Sequence, residues 1–313
     1  MEYTQNFTNF KVSKNTKCLK YISFPEDLHL PLKFDDNKKR IVEIGFGNGE
    51  IMTRMARSRS DDVFIGIENS EISCVKAAKR VLDLGLKNVM IFQGDAKFLI
   101  QEVFEPSSID LILSFYPIPW PKNSHEKRRL FSEEFLKNAL RTLKKDGKFL
   151  IVTDDENHVE WITDNALKIG AVFLKRNVMP LKATKYGRKW NEMGRKSWSI
   201  IMESHEFSTS RMVIDWMPHV HLKDISFEKI NEIASKKFVE NESIIQFKGV
   251  FKGDEGYLLK TISVDDGFVQ TYYIIVKKEK DGWLARLDEG IKVFKTHAVK
   301  KSVEIVGNFI VGG

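Results

Sequence analysis

The stretch Ile41-Val-Glu-Ile-Gly-Phe-Gly-Asn-Gly-Glu50 decides the fold of the first two-thirds of this chain. A short apolar run enters a turn that carries Gly45, Gly47 and Gly49, and an amphipathic helical pattern follows over residues 50–58. Glycine lets the backbone turn tightly and approach a ligand without a Cβ in the way. The stretch therefore predicts a strand, a ligand-binding turn and a helix.

The same alternation of apolar runs and helical patterns continues through residues 38–206. Strands are predicted at 41–45, 63–67, 89–92, 109–114 and 148–153, and helices at 50–58, 71–84 and 132–143. Asp146-Gly147 suits the turn after the last of these helices. Repeated β-α alternation predicts an α/β fold, a parallel sheet with helices on both faces. Two later runs, 171–175 and 198–203, suit a terminal pair of strands that closes the sheet.

The pattern changes near residue 207, after a leader over residues 1–37 and the α/β domain over 38–206. A helix is predicted at 225–238 and strands at 257–264, 268–277 and 283–287. Asp266-Gly267 and Asp281-Gly282 between them are strong hairpin signals. Residues 207–313 are therefore predicted to form a smaller α+β module with an antiparallel sheet, in which no constellation indicates a site.

Composition and charge narrow the class of protein. No apolar run approaches the roughly 20 residues of a membrane span, and Cys18 and Cys74 have no spacing suited to a metal site or disulfide framework. The formal net charge is +7, with 34 Lys and Arg against 28 Asp and Glu in residues 1–206 and 16 against 15 in the remainder. The sequence predicts a cytoplasmic protein without a metal ion, and the basic surplus suits a polyanionic partner. It leaves the oligomeric state open.

Three acidic residues stand at the ends of three successive predicted strands. Glu43 lies inside the first strand just before the glycine turn, Glu68 ends the second, and Asp95 follows the third. In open α/β sheets, ligands bind at the carboxyl ends of the strands, where an acidic residue accepts ribose hydroxyls. A carboxylate at Glu43 disfavours a pyrophosphate and suits the cationic methionine part of S-adenosylmethionine, which is the predicted cofactor.

The fourth predicted strand runs into a loop stiffened by Pro117, Pro119 and Pro121. Trp120 between them suits stacking on an extruded base, or else packing in the core. The basic side chains that follow it suit phosphate contacts, although a solvated helix start would also explain them.

The motifs IVEIGFGNGE, FIGIE, GDAKFL, PWPKNSHEKRRLF, TDD and TKYGRKW, in this order, resemble the bacterial tRNA (guanine-N7)-methyltransferase family. The resemblance covers residues 38–203. It implies a class I, Rossmann-like methyltransferase fold, S-adenosylmethionine as the methyl donor and the variable-loop guanine of tRNA as the acceptor. The C-terminal module is similar to extensions in a longer-chain branch of the family.

The resemblance also implies roles for individual residues. It implies cofactor contacts at Glu43, Glu68 and Asp95, beside Gly45, Gly47 and Gly49. The implied substrate contacts are Lys122, Asp154, Thr184, Lys185 and Tyr186, to which the position of Trp120 adds a stacking residue. The implied RNA-binding stretch is Ser124, His125, Glu126, Lys127, Arg128 and Arg129.

Two positions depart from the family pattern. Ile118 stands where the family has an aspartate regarded as catalytic, and Gly187 stands where it has a glutamate. Guanine N7 carries a lone pair and no proton, so that it needs no general base, and alignment can supply much of the catalysis. The candidates to replace the missing carboxylates in part are three acidic residues after the fifth predicted strand, Asp154, Asp155 and Glu156. Asp154 is the leading candidate. The alternatives are a cofactor- and tRNA-binding protein with weakened catalysis and a small-molecule methyltransferase.

Overall fold

The structure, a computed structural model, describes residues 20–22, 31, 34, 37–121, 129–181, 185–194, 196–209, 211–214, 216–240, 243–265, 267–291 and 293–311. These residues divide into two compact units, within Met1–Ser210 and Arg211–Gly313. No helix among them is long and apolar enough to cross a membrane.

The first unit is an α/β layer structure. Its strands are β1 (Lys20–Ile22), β2 (Arg40–Ile44), β3 (Val63–Glu68), β4 (Val89–Gln93), β5 (Ile109–Phe115), β6 (Leu143–Thr153), β7 (Phe173–Val178) and β8 (Ser197–Glu203). Its helices are α1 (Glu50–Ser58), α2 (Glu71–Asp83), α3 (Ala96–Val103), α4 (Glu133–Thr142), α5 (Glu156–Lys168) and α6 (Lys185–Glu192).

The described strands of this unit pair in the order β1-β4-β3-β2-β5-β6-β8-β7. Neighbours from β1 to β6 are parallel, and β8 runs antiparallel to both β6 and β7. The predicted fold class is confirmed, including the terminal pair of strands. The predicted leader contributes β1 to the sheet edge, which its polar sequence did not indicate.

Both faces of the central strands are buried. Ile41 and Phe64 pack in a cluster with α1 and α2, and the residues that follow them, Val42 and Ile65, are buried too. Successive side chains of a strand point to opposite faces, so helices must cover both sides of the sheet.

One predicted turn is replaced by an irregular strand. Ser132 caps α4 as expected, since its Oγ accepts a hydrogen bond from the N–H of Phe135 at 3.4 Å. Asp146-Gly147, predicted as a turn, lies inside β6, whose register with β5 shifts between Ile109 and Leu111. The turn signal is accommodated as a bulge, because the chain pairs with β5 both before and after it.

The second unit is an antiparallel sheet with two helices. Its strands are β9 (Val220–Leu222), β10 (Lys237–Glu240), β11 (Ser243–Gly253), β12 (Gly256–Asp265), β13 (Phe268–Glu279) and β14 (Gly282–Leu287). Its helices are α7 (Phe227–Ile233) and α8 (His297–Phe309), and the strand order is β10-β11-β12-β13-β14-β9. The predicted antiparallel sheet of the C-terminal region is confirmed.

Two details of this unit differ from the sequence prediction. The helix predicted at 225–238 ends at Ile233, because Phe238 pairs with Ile245 in the sheet and its ring lies 5.9 Å from that of Phe247. The β13–β14 turn lies one residue earlier than predicted, since Glu279 pairs with Gly282.

Asp265 ties the sheet of the second unit to the start of α8. Its carboxylate accepts hydrogen bonds from Thr296 Oγ1 at 2.6 Å and from the N–H of Ala298 at 2.9 Å. Ser243 Oγ adds a longer contact of 3.4 Å. Thr296, the N-cap of α8, provides no side-chain cap of its own. Asp265 therefore satisfies a donor at the helix start from a neighbouring strand.

Asp265→Ala is expected to lower the free energy of unfolding by about 2–4 kcal/mol, because it removes charge-assisted hydrogen bonds and a helix cap. Urea denaturation of the full chain measures this change. Asp281→Ala, at an exposed turn position, is the control and should change stability little. Equal stability of the two variants would contradict a structural role for Asp265.

Candidate active site

The glycine turn follows β2 and is tied to the neighbouring strand. Gly45 and Gly47 have φ values of +70° and +54°, in the left-handed region that favours glycine. The N–H of Gly45 donates to the carbonyl of Ile67 at 2.8 Å. A Cβ added at either glycine would meet no atom within 4 Å. The turn therefore leaves open space above its backbone, as a ligand cradle requires.

Glu43 lies buried beneath this turn. Its side chain is 5% exposed, and its Oε2 has no hydrogen-bond partner among the described residues. Burial raises the pKa of Glu43 to about 8, although the backbone N–H of Met52 acts to lower it. A buried carboxylate without a partner is costly in a folded protein. The site therefore fits a ligand with a cationic group beside this oxygen.

Glu68 is held at the tip of β3 by two backbone donors. Its Oε2 accepts from the N–H of Gly47 at 3.0 Å, and its Oε1 accepts from the N–H of Ser70 at 2.9 Å. These bonds orient the carboxylate between the glycine turn and the start of α2. Each carboxylate oxygen has a second lone pair, so that the group can also accept ribose hydroxyls.

Asp95 is the N-cap of α3, directly after β4. Its Oδ1 accepts from the N–H of Lys97 at 2.8 Å. Burial raises the pKa of Asp95 above its ordinary value, while the backbone and charge of Lys97 and the backbone of Phe98 act to lower it. Glu43, Glu68 and Asp95 thus end three adjacent parallel strands, β2, β3 and β4, and lie along one edge of the sheet.

The loop after β5 has two residues in a strained backbone conformation. Tyr116 and Trp120 have φ values of +52° and +44°. Such residues cost about 1–3 kcal/mol each and concentrate at functional sites. The N–H of Tyr116 donates to Val152 of β6 at 2.7 Å, and its hydroxyl accepts from the N–H of Leu181 at 2.9 Å. Sequence reasoning missed Tyr116, because Leu181 is 65 residues away and no local pattern indicates the contact.

Arg129 connects this loop to α5. Its Nε donates to the carbonyl of Trp120 at 3.2 Å, and its guanidinium lies 5.2 Å from the centre of the Trp161 ring. Trp120 itself is half-buried, whereas Ile118 is 67% exposed. The contacts show that Arg129 positions the loop, a role that the prediction of phosphate binding did not include.

The acidic stretch after β6 divides into different roles. Asp155 is the N-cap of α5, since its Oδ1 accepts from the N–H of His158 at 2.8 Å. Asp154 is half-buried immediately before it. Burial lowers the pKa of His158 to about 4. The charge of Asp155 acts to raise this pKa, and the charge of Arg129 lowers it further. Asp155 therefore caps α5, whereas Asp154 lies directly after the last residue of β6.

The late motif lies partly on α6. Lys185 and Tyr186 begin this helix, and Gly187 is buried within it. Arg188, the next residue, forms an ion pair with Glu50 at 3.1 Å. Because Glu50 directly follows the glycine turn, this ion pair places the late motif beside the cofactor edge.

Several predicted residues lie outside the described part of the chain. These are Lys122, Ser124, His125, Glu126, Lys127, Arg128 and Thr184, and the side chains of Lys185 and Tyr186 are outside it as well. No group of three or more His, Cys, Asp or Glu that could hold a metal occurs among the residues that are described.

The match to a family model shows the class of protein, which is a methyltransferase. Residues 37–200 match the family described as "Putative methyltransferase". The chain is similar in fold to the solved 16S rRNA methyltransferase KamB, with 14% identity, a TM-score of 0.43, and coverage of 56% of this chain and 96% of that chain.

Curated relatives give the particular family. The chain is 34% identical to the tRNA (guanine-N(7)-)-methyltransferase of Thermotoga maritima, over 86% of this chain and 88% of the relative. It is 30% identical to the Aquifex aeolicus protein of the same name, over 86% and 93%. The chain belongs to the tRNA (guanine-N(7)-)-methyltransferase family, as the motifs predicted.

Glu43→Gln is expected to flatten the pH dependence of stability of the ligand-free protein. Between pH 4.5, the ordinary pKa, and about 8, the folded protein holds a proton at Glu43 that the unfolded chain lacks. The wild-type free energy of unfolding therefore falls as pH rises through this window, by up to about 1.4 kcal/mol per pH unit.

Denaturation with urea at several pH values in this window measures the slope. Glutamine keeps the size of the side chain and cannot titrate, so the variant should be the more stable protein at the alkaline end. Glu105→Gln, at an exposed position, serves as the matched control and should keep the wild-type slope. The same slope in Glu43→Gln and wild type would show that Glu43 is ionised in the folded protein.

Proposed function

We propose that the protein transfers a methyl group from S-adenosylmethionine to N7 of the variable-loop guanine in tRNA. The names of the relatives support this activity, since they agree over most of the chain. The observation that carries the cofactor assignment is the buried Glu43 carboxylate, whose Oε2 lacks a partner among the described residues at the cradle of the glycine turn.

Each of the three acidic residues at the carboxyl ends of β2, β3 and β4 suits a different part of this cofactor. An ammonium next to Glu43 would stabilise its carboxylate form, which burial disfavours. Glu68 is oriented to accept ribose hydroxyls. The carboxylate of Asp95 would accept the exocyclic amine of adenine with the capacity left beside its capping bond. When bound, S-adenosylmethionine supplies an electrophilic methyl group on a sulfonium centre.

The substrate side of the site needs chiefly to orient the base. Guanine N7 has a lone pair and no proton, so the chain does not have to remove a proton from it. Alignment of the base with the methyl group then lowers the barrier. Trp120, on a strained and proline-stiffened loop, would stack on the base, and Asp154 would accept from its N1 or N2 donors.

Methyl transfer would take place on residues 38–206. The protein would act in the cytoplasm, where the tRNA substrate is found. The second unit, Arg211–Gly313, contains none of the proposed site residues. Ile118 and Gly187 lower the number of carboxylates near the base and do not remove a step of the reaction. The departures are thus compatible with an active enzyme.

Incubation with methyl-labelled S-adenosylmethionine and unmodified tRNA is expected to give about one methyl group per tRNA. Chain scission at N7-methylguanine should place this methyl group in the variable loop. Cofactor binding without incorporation would instead indicate a binding protein, and incorporation into a small molecule but no RNA would indicate a different methyltransferase. Either result would contradict the proposal.

Asp154→Asn is expected to reduce kcat/KM for tRNA roughly 5- to 150-fold, the effect of losing an orienting contact of about 1–3 kcal/mol. Ile118→Asp in the Asp154→Asn background should restore part of this loss, because it returns a carboxylate to the loop. Steady-state kinetics measures both effects. Glu160→Gln, at an exposed position farther along α5, is the control. Full activity of Asp154→Asn would remove Asp154 from the site.

A further inference from the structure

A basic groove lies on the surface of the first unit beside the cofactor edge. It consists of two adjoining concavities that share Arg80 and Leu84, with volumes of about 380 Å³ and 480 Å³. The cations that line it are Arg54, Arg57, Lys76, Lys79, Arg80 and Arg188. These six positive charges are opposed by two carboxylates, Glu50 and Asp83. The groove, called the arginine groove below, therefore carries a clear positive surplus.

Helical spacing places these cations together. Arg54 and Arg57 are one turn apart on α1, and Lys76, Lys79 and Arg80 recur at the spacing of one face of α2. The opposite face of α2, with Cys74, Ala77, Ala78 and Val81, is buried in the core. The groove is thus built on two helices that the sheet holds rigidly.

Most of the cations on the helices are available to a ligand. Arg54, Arg57, Lys76 and Lys79 are exposed and have no ion pair with any residue that the structure describes. Glu50 is shared between Arg80 at 3.9 Å and Arg188 at 3.1 Å. The positive surplus of the groove therefore rests on the four exposed side chains of α1 and α2.

The arginine groove lies next to the proposed methyl-transfer site. Asn48 of the glycine turn lines one end of it, and Arg188 brings in α6, the helix that carries the late motif. The groove therefore adjoins both the glycine turn and the helix of the late motif. A long anion engaged at the methyl site would continue along this surface.

We propose that the arginine groove binds the sugar-phosphate backbone of tRNA outside the target guanine. The inference rests on the proposed function and extends it to a surface that the sequence motifs do not indicate. Guanidinium groups match phosphate oxygens in geometry and charge, and they release condensed counterions when they bind. Such contacts position the RNA without reading its sequence.

The double variant Arg54→Ala with Arg57→Ala tests the groove in the full chain. Both side chains are exposed, and alanine favours the helix, so that the fold should be retained. Affinity for tRNA is expected to fall about tenfold near 0.15 M salt, and the slope of log K against log salt should decrease by about 2. The KM for tRNA should rise while kcat and the affinity for S-adenosylmethionine stay unchanged.

Two further variants sharpen the comparison. Lys175→Ala with Arg176→Ala removes the same charge from exposed positions on β7, the outermost strand on one side of the same sheet. This double variant should keep the wild-type salt slope. Asp83→Asn removes an opposing carboxylate from the groove and should tighten tRNA binding about threefold. Weaker binding of Asp83→Asn, or equal losses in the two double variants, would overturn the proposal.

The outcome also separates the groove from the activity. The wild type could methylate tRNA while the double variant Arg54→Ala with Arg57→Ala keeps the wild-type salt slope. This result would overturn the proposed role of the groove and leave the proposed function intact. A wild type that neither binds nor methylates tRNA would contradict the proposed function itself. If the wild type binds phosphatidylserine vesicles, and the double variant loses this binding but keeps its tRNA affinity, the groove binds an anionic membrane. That result would overturn the inference.

Discussion

The rest of the site depends on the hydrogen bonds that tie the glycine turn to β3. Gly45 donates to Ile67, and Gly47 donates to the carboxylate of Glu68. The first bond fixes the path of the chain as it leaves β2, and the second orients the acid at the tip of β3. Both require a left-handed backbone, which glycine adopts without a steric cost. The turn thus sets the cradle and one of its acids in a single arrangement.

The same arrangement leaves Glu43 with an unfavourable environment. Its carboxyl is buried, and the N–H of Met52 compensates only partly for the lost hydration. An apolar residue there would pack without this cost, so the acid weakens the ligand-free fold. A cationic ligand beside it would reverse the effect, because the charged form would then gain a partner. A carboxyl group at this position would therefore favour the binding of a cationic ligand and lowers the stability of the ligand-free protein.

The features that the sequence predicted are those that depend on local patterns. The strands β2 to β6, the helices α1, α2 and α4, and the acids at the strand ends follow from periodicity and from residues next to one another in the chain. Asp146-Gly147, predicted as a turn, lies within β6, in the four residues between Leu143 and Lys148 that have no partner in the register with β5. The helix predicted past Ile233 was too long because Phe238 joins the sheet instead.

Contacts between distant residues could not be predicted in this way. Tyr116 meets Leu181, Arg129 meets Trp161, and Arg188 meets Glu50, 138 residues apart. Each pair joins segments that only the folded sheet brings together. The arginine groove has the same origin, since α1, α2 and α6 contribute cations that look like ordinary solvated charges in the sequence.

The two sides of the site are constrained to different degrees. On the cofactor side there is little freedom, because main-chain N–H groups hold the buried Glu43 and the half-buried Glu68 and Asp95 beside a left-handed turn. On the substrate side, an attacking nitrogen without a proton requires orientation and no particular acid or base. The exposed position of Ile118 agrees with this difference, since a loop side chain that only orients a base can change without removing a chemical step. Chemistry of this kind allows the contacts to the base to vary while the cofactor edge is retained.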